Sequence, residues 1–106
     1  MADSTQISTA LRTLKTLLAR GWIQKTDAMD EAGNRVSVYD RRATRFCLGG
    51  GCLQASNDDG QIYRCMRDAL EETLGAHWIE WNDAPGRTQA EVLAAIDVTI
   101  ARLEAQ

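Results

Sequence analysis

The chain reads as mainly α, with α+β only at the margin: one domain over residues 1–106, four helices and a short β-hairpin between the first two. Three observations predict this. Apolar residues recur at helical spacing in separate stretches near both ends and in the middle. The segment with strand character, residues 22–39, is short. A length of 106 residues allows one real hydrophobic core and not two.

The first helix follows from Ile7, Leu11, Leu14 and Leu18, with Ala10 and Leu17 widening the stripe. Gly21 just past Arg20 predicts a helix end with a left-handed glycine and a cation near the last carbonyls. Trp22-Ile23 and Val36-Ser37-Val38-Tyr39 are β-prone and flank the turn-forming Asp30-Glu31-Ala32-Gly33-Asn34, which predicts the hairpin. A lone hairpin is marginal in water, so it must lie on the helices.

A second helix is expected from Asp40, with Phe46, Leu48 and Leu53 as its bulk. Gly49-Gly50-Gly51 falls inside it, and three interior glycines cost about 3 kcal/mol relative to alanine. Either the helix breaks there or another backbone comes too close for side chains. On a helical wheel Ala43, Cys47, Gly50, Gly51 and Gln54 share a narrow stripe, which favours close packing. The face of Cys47, Gly50 and Gly51 is equally a candidate contact with a second copy of the chain. Ser56-Asn57-Asp58-Asp59-Gly60 is a polar connector and cap. The third helix carries Ile62, Met66, Ala69, Leu70 and Thr73 on one face, Gly75 at its end, and Arg64/Asp68 and Arg67/Glu71 as outer i,i+4 pairs. Residues 76–87 read as a loop. Thr88-Gln89-Ala90-Glu91 is a capping box opening the last helix, whose buried stripe is Val92, Ile96, Thr99, Ile100 and Leu103.

A hydrophobic fraction of 44% and a charged fraction of 25% are ordinary globular values. No apolar run approaches the ~20 residues of a membrane span, and the first residues lack the basic and apolar regions of a secretory signal. A cytoplasmic protein with reduced thiols is expected, because Cys47, Cys52 and Cys65 are an odd count. A net charge of −3 argues against direct nucleic-acid binding. That charge is uneven: residues 1–57 hold eight Lys/Arg and five Asp/Glu, residues 58–106 four and ten. Such polarity can steer a partner, although neutralisation between the halves on folding is the simpler expectation.

The richest segment is Trp81-Asn82-Asp83-Ala84-Pro85-Gly86-Arg87-Thr88. As structure, Asn82 and Asp83 make Asx turns, Ala84 is pushed out of the helical region by Pro85, Gly86 gives backbone freedom, Thr88 caps, and Trp81 anchors beside the last helix. Only Arg87 is left without a role. As a site, Trp78, Trp81, Asn82, Asp83 and Arg87 form a recognition cluster for a small ligand or nucleotide. The capped turn accounts for more of the residues.

This segment, with the helix Ala10–Arg20 followed by Gly21-Trp22 and with Arg45-Phe46-Cys47-Leu48-Gly49, resembles a family of small proteins from bacterial and phage genomes, domain of unknown function 6197. There a similar turn precedes a helix beginning much as Gln89-Ala90-Glu91-Val92-Leu93 does. Trp-Cys then Gly-Ala is usual where this chain has Phe46-Cys47. The resemblance carries no activity.

Cys47, His77 and Asn82 or Asp83 provide the residue types of a cysteine hydrolase or transferase, with amides of the glycine run as an oxyanion hole. No protease signature surrounds Cys47, and nothing nearby marks an activated thiolate. A metal on Cys47, Cys52, Cys65 and His77 is disfavoured, since Cys47 and Cys52 would lie about 140° apart on a helix. The glycines lack the Lys-Ser/Thr of a phosphate loop. Arg41, Arg42 and Arg45 read as a solvated or internally paired group. The expectation is a non-enzymatic protein-interaction module with no cofactor or metal, its exposed acidic group at Glu71 and Glu72. The phage resemblance narrows it to an inhibitor of a host defence or nucleic-acid-handling protein, an anti-CRISPR for example.

Overall fold

Residues 3–106 of the computed structural model form five helices and a two-stranded antiparallel sheet: α1 (Ser4–Arg20), β1 (Ala28–Met29), β2 (Arg45–Phe46), α2 (Leu48–Ala55), α3 (Gly60–Leu74), α4 (Trp78–Asn82) and α5 (Gln89–Glu104). The mainly α class holds, and α4 is the helix that the loop reading of residues 76–87 did not contain. None of these helices is long and apolar enough to cross a membrane.

The core forms where the predicted stripes meet. α1 lies centrally against α5, α2 and α3, burying Ile7, Leu11, Leu14 and Leu18. Val92, Ile96 and Ile100 of α5, Met66 and Leu70 of α3, and Leu48 and Cys52 of α2 complete it. Caps set the helix starts. Asp3 and Gln6 form a capping box on α1, Asp59 Oδ1 accepts from Gln61 N and Ile62 N on α3, and the Thr88–Glu91 box opens α5 as expected. Gly75 ends α3 in the left-handed region (φ 65°).

Gly21 departs from its expected role. It is extended (φ −172°) rather than left-handed. Gln89 Nε2 instead satisfies the end of α1, donating to Leu18 O at 2.7 Å. Glycine is needed because β2 crosses immediately over it: a Cβ would strike the Thr44 carbonyl oxygen and reach 2.7 Å from Arg45 Cγ.

The sheet also differs from the predicted hairpin. Ala28 pairs with Phe46 and Met29 with Arg45, while Trp22 of the first expected arm bridges Phe46 and Arg35 bridges Met29; the second expected arm, residues 36–39, is not a strand. The turn over Asp30–Asn34 is where the sequence places it, with Asn34 N donating to Asp30 Oδ1 at 2.8 Å. Burial selects the register: Ala28 and Phe46 face the core at 0% and 3% exposure.

α2 begins at Leu48, not at Asp40. The Asp40 carboxylate is taken by Arg42, whose N and Nη2 donate at 2.8 and 2.9 Å, and this closes a local turn. Arg45 and Phe46 then place their backbone in the sheet. Arg41 and Arg45 therefore do not share a helix face. The glycine run does sit in helix, and each glycine meets a different neighbour. Gly50 abuts the Asp27 backbone, Gly51 the Leu14 and Leu18 side chains, and Gly49 Ile79 Cδ1. The face of Cys47, Gly50 and Gly51 is thus covered by this chain's own residues and is not open to a second copy. On α3, Arg67 pairs with Asp68 at 3.1 Å rather than with Glu71, and the expected i,i+4 pairs are not made.

Candidate functional site

Asn82, the last residue of α4, is completely buried and joins three parts of the chain. Its Oδ1 accepts from Trp22 Nε1 at 2.8 Å and from Leu48 N at 3.1 Å. Its Nδ2 donates to Ile23 O at 3.2 Å and to Asp83 Oδ1 at 2.9 Å. Gln24 Nε2 reaches the Asn82 and Ala84 carbonyls at 3.0 and 2.9 Å, and Lys25 N donates to Asp83 Oδ1 at 2.8 Å. The stretch after α1, the start of α2 and the 81–88 segment are fastened at one side chain. A primary amide supplies two donor hydrogens and two acceptor lone pairs, and here all four are used.

Arg87 has a role after all. Its guanidinium carbon lies 3.9 Å from the Trp81 ring centroid, Nε donates to Trp81 O at 2.9 Å, and Nη1 pairs with Glu91 at 3.3 Å. Trp78 is buried edge-on to Tyr63 with centroids 5.6 Å apart, and its amide donates to Glu71 Oε2 at 3.1 Å. Glu71 therefore serves the start of α4. Glu72 is exposed and pairs with Arg102 at 2.8 Å. Of the residues expected to recognise a ligand, the fold gathers Trp81, Asn82, Asp83 and Arg87, but Trp78 and Asn82 are sealed from solvent, Trp81 and Arg87 bind each other, and Asp83 is held by Lys25 N and Asn82. Trp22, Gln24 and Lys25 belong to the same junction. The one hint in the sequence is that a buried indole N–H needs an acceptor, which leaves that acceptor unnamed.

The family model for a family of unknown function, DUF6197, matches residues 2–102, nearly the whole chain. The chain belongs to DUF6197. No curated protein and no solved structure matches it.

In this DUF6197 chain Cys47 is the N-cap of α2, its Sγ accepting from Gly50 N at 3.3 Å and lying 3.8 Å from Asp27 Oδ1. Burial pushes the Cys47 thiol above its ordinary pKa. The Gly50 and Gly49 amides oppose this, and the Asp27 and Asp83 charges reinforce it. Cys52 is wholly buried and pushed up further. His77 is exposed and makes no side-chain cap bond, and no bond of Asn82 goes to Cys47 or His77. The hydrolase arrangement is not assembled. Among the described residues no three His, Cys, Asp or Glu side chains gather as metal ligands would.

Two outcomes follow for the thiols. Iodoacetamide at neutral pH is expected to modify half-buried Cys65 before Cys47 and Cys52, and selective labelling of Cys47 would contradict this geometry. A thiol whose pKa folding raises adds stability that is complete below the unfolded thiol value of about 8.5 and is lost as pH climbs through the folded one. Melting temperature should therefore fall on the alkaline side of that value, and less so in Cys52→Ala measured against its own neutral-pH baseline.

Most carboxylates of residues 58–106 are used within the fold. Asp59, Glu71, Asp83 and Glu91 accept from backbone amides, and Glu72, Asp97 and Glu104 sit in ion pairs. A groove of about 530 Å³ between α1 and α5 is crossed by two such pairs, Lys15–Asp97 at 2.8 Å and Arg12–Glu104 at 2.6 Å. By contrast Arg20, Lys25, Arg35, Arg41 and Arg45 make no ion pair among the described residues.

Proposed function

We propose that this chain is a non-enzymatic protein-interaction module. The observation that carries the reading is the Asn82 junction. The most distinctive polar segment turns its hydrogen-bonding groups into the fold, where Asn82 alone makes four bonds to its neighbours. The raised pKa of Cys47 supports the same reading, since the thiolate and not the thiol is the nucleophile. What remains available to another molecule is the surface, and its chemistry is charge. Inhibition of a host defence or nucleic-acid-handling protein, a CRISPR effector for example, is the finer form of this proposal and draws on the family's occurrence in phage and bacterial genomes.

The test is capture from a bacterial lysate on the immobilised chain, read by mass spectrometry beside Glu72→Lys. That substitution replaces an exposed ion pair with an exposed repulsion from Arg102 and should cost no more than about 1 kcal/mol of stability. The expected result is one dominant protein at near-stoichiometric yield. No enriched protein, together with a chemical activity abolished by Cys47→Ser, would overturn the proposal. The double reversal of Glu71 and Glu72 is unsuitable, because Glu71 holds the first turn of α4.

A further inference from the structure

We infer that the outward face of the small sheet, Arg35, Met29 and Arg45, is the docking surface, and that its partner is an acidic protein segment carrying an aliphatic side chain. This rests on the interaction-module reading and names where and with what chemistry it operates. The strand register provides the first argument. Directly opposed residues of antiparallel strands share a face, and successive residues alternate. Ala28 and Phe46 point into the core, so Met29 and Arg45 point out. The Met29–Arg35 bridge places Arg35 on the same outer side across from Arg45. A half-buried methionine is flanked by two exposed arginines.

The second argument is what these cations lack. Arg12 and Lys15 are neutralised across the α1–α5 groove, and Arg42 by Asp40. Arg20 has the carbonyl end of α1 beside it. Among the described residues Arg35 and Arg45 have neither an ion pair nor a helix end. Residues 20–46 contain six Lys/Arg and four Asp/Glu. Of those four carboxylates Asp40 is held by Arg42, Asp30 accepts from Asn34 N and Nδ2, Asp27 faces Cys47, and Glu31 is exposed in the turn. This part of the surface is therefore positive in a chain whose net charge is −3. Carboxylates are the complement of two arginine forks, and Met29 between them offers an adaptable apolar contact. A nucleic acid fits less well, since methionine offers no ring for a base to stack on.

The experiment is an NMR titration of the isotope-labelled chain at low salt with polyglutamate, then with a single-stranded DNA oligonucleotide of equal charge. Polyglutamate should shift the amides of residues 28–29, 35 and 44–46. Arg35→Glu with Arg45→Glu should weaken it at least about tenfold, because reversed charges repel what they formerly attracted. An unchanged spectrum elsewhere shows that the double variant is folded, and Arg35→Gln with Arg45→Gln, giving a smaller loss, serves as the conservative check. Shifts on other surfaces, no shifts, or tighter binding of the oligonucleotide would overturn the inference. If lysate capture yields a partner that the double variant still binds, the module reading survives and this face does not. An empty capture, together with a chemical activity abolished by Cys47→Ser, sinks the module reading whatever polyglutamate does.

Discussion

Asn82→Asp is expected to destabilise the fold by about 3–5 kcal/mol, among the largest effects a single side chain can have here. The two side chains are nearly the same size, so packing does not explain the loss. The cause is polarity. Asn82 Nδ2 donates to Ile23 O and Asp83 Oδ1. A carboxylate would aim an oxygen at those two acceptors and bury its charge at a position with no solvent access. The loss should shrink toward acid, since a protonated carboxyl can donate to Ile23 O where the amide did. Asn82→Ala removes the acceptor of Trp22 Nε1 and Leu48 N and should cost nearly as much, about 3 kcal/mol. Asp83→Asn is the contrast. Its Oδ1 can still accept from Lys25 N and Asn82 Nδ2, so the change should be below about 1 kcal/mol. Thermal unfolding separates these outcomes, because 3 kcal/mol corresponds to a melting shift of about 12 °C or more in a chain of this size. Equal losses for Asp83→Asn and Asn82→Asp would show that the segment is merely sensitive and that Asn82 is no junction.

The difference between what was legible in the sequence and what was not lies in the range of the interactions. Helices α1, α3 and α5 were readable because their signals are local: a 3.6-residue apolar period, a capping residue such as Asp59 or Thr88, and a terminal glycine such as Gly75. Arg87 and Asn82 stand out by residue type, but nothing local in the sequence names their partners. The acceptor role of Asn82 toward Trp22 spans 60 residues, and its bond to Leu48 N spans 34. No periodicity encodes such pairings. The strands were misplaced for the same reason. Ala28 and Met29 have little intrinsic β character, and what makes them a strand is that Phe46 needs a buried neighbour opposite. The start of α2 shifted because a local contact, Asp40 with Arg42, satisfied the candidate cap before a helix could use it. The proposed interaction surface is the part least visible in the sequence. The acidic half of the sequence suggests an acidic face, whereas folding uses most of those carboxylates on amides and in ion pairs and leaves Arg35 and Arg45 exposed without an ion pair among the described residues.

The glycine run turns this reasoning into a graded series, with Gly50→Ala the severe member at about 3 kcal/mol. All three glycines are helical and buried, so helix propensity alone predicts that alanine would stabilise each by about 1 kcal/mol. The neighbours decide otherwise. At Gly50 a Cβ collides with the carbonyl oxygen of Asp27 and stands 2.7 Å from its carbon. That is backbone, held by the neighbouring sheet and by the bond from Cys47 N to the same oxygen at 3.4 Å. It cannot move without opening the contact between β1 and the start of α2. At Gly51 the obstacle is Leu14 Cδ1 at 2.6 Å with Leu18 Cδ2 at 3.2 Å, methyl groups in a packed core that yield only in part, for a net loss of about 1–2 kcal/mol. At Gly49 it is Ile79 Cδ1 at 2.8 Å, the end of a half-buried side chain that can rotate away, so the propensity gain offsets the crowding and the result is within about 0.5 kcal/mol of wild type. The ordering Gly50 well above Gly51, and Gly51 above Gly49, is the expected result of denaturant unfolding on the three variants. A uniform gain would mean that the run is ordinary helix with unneeded glycines. A uniform loss would mean that all three face rigid backbone. Because β1 carries Met29 and β2 Arg45, relaxation around Gly50→Ala should also displace the outward face of the sheet. If that face docks the partner as proposed, Gly50→Ala loses partner capture at temperatures where it is still folded, while Gly49→Ala keeps it.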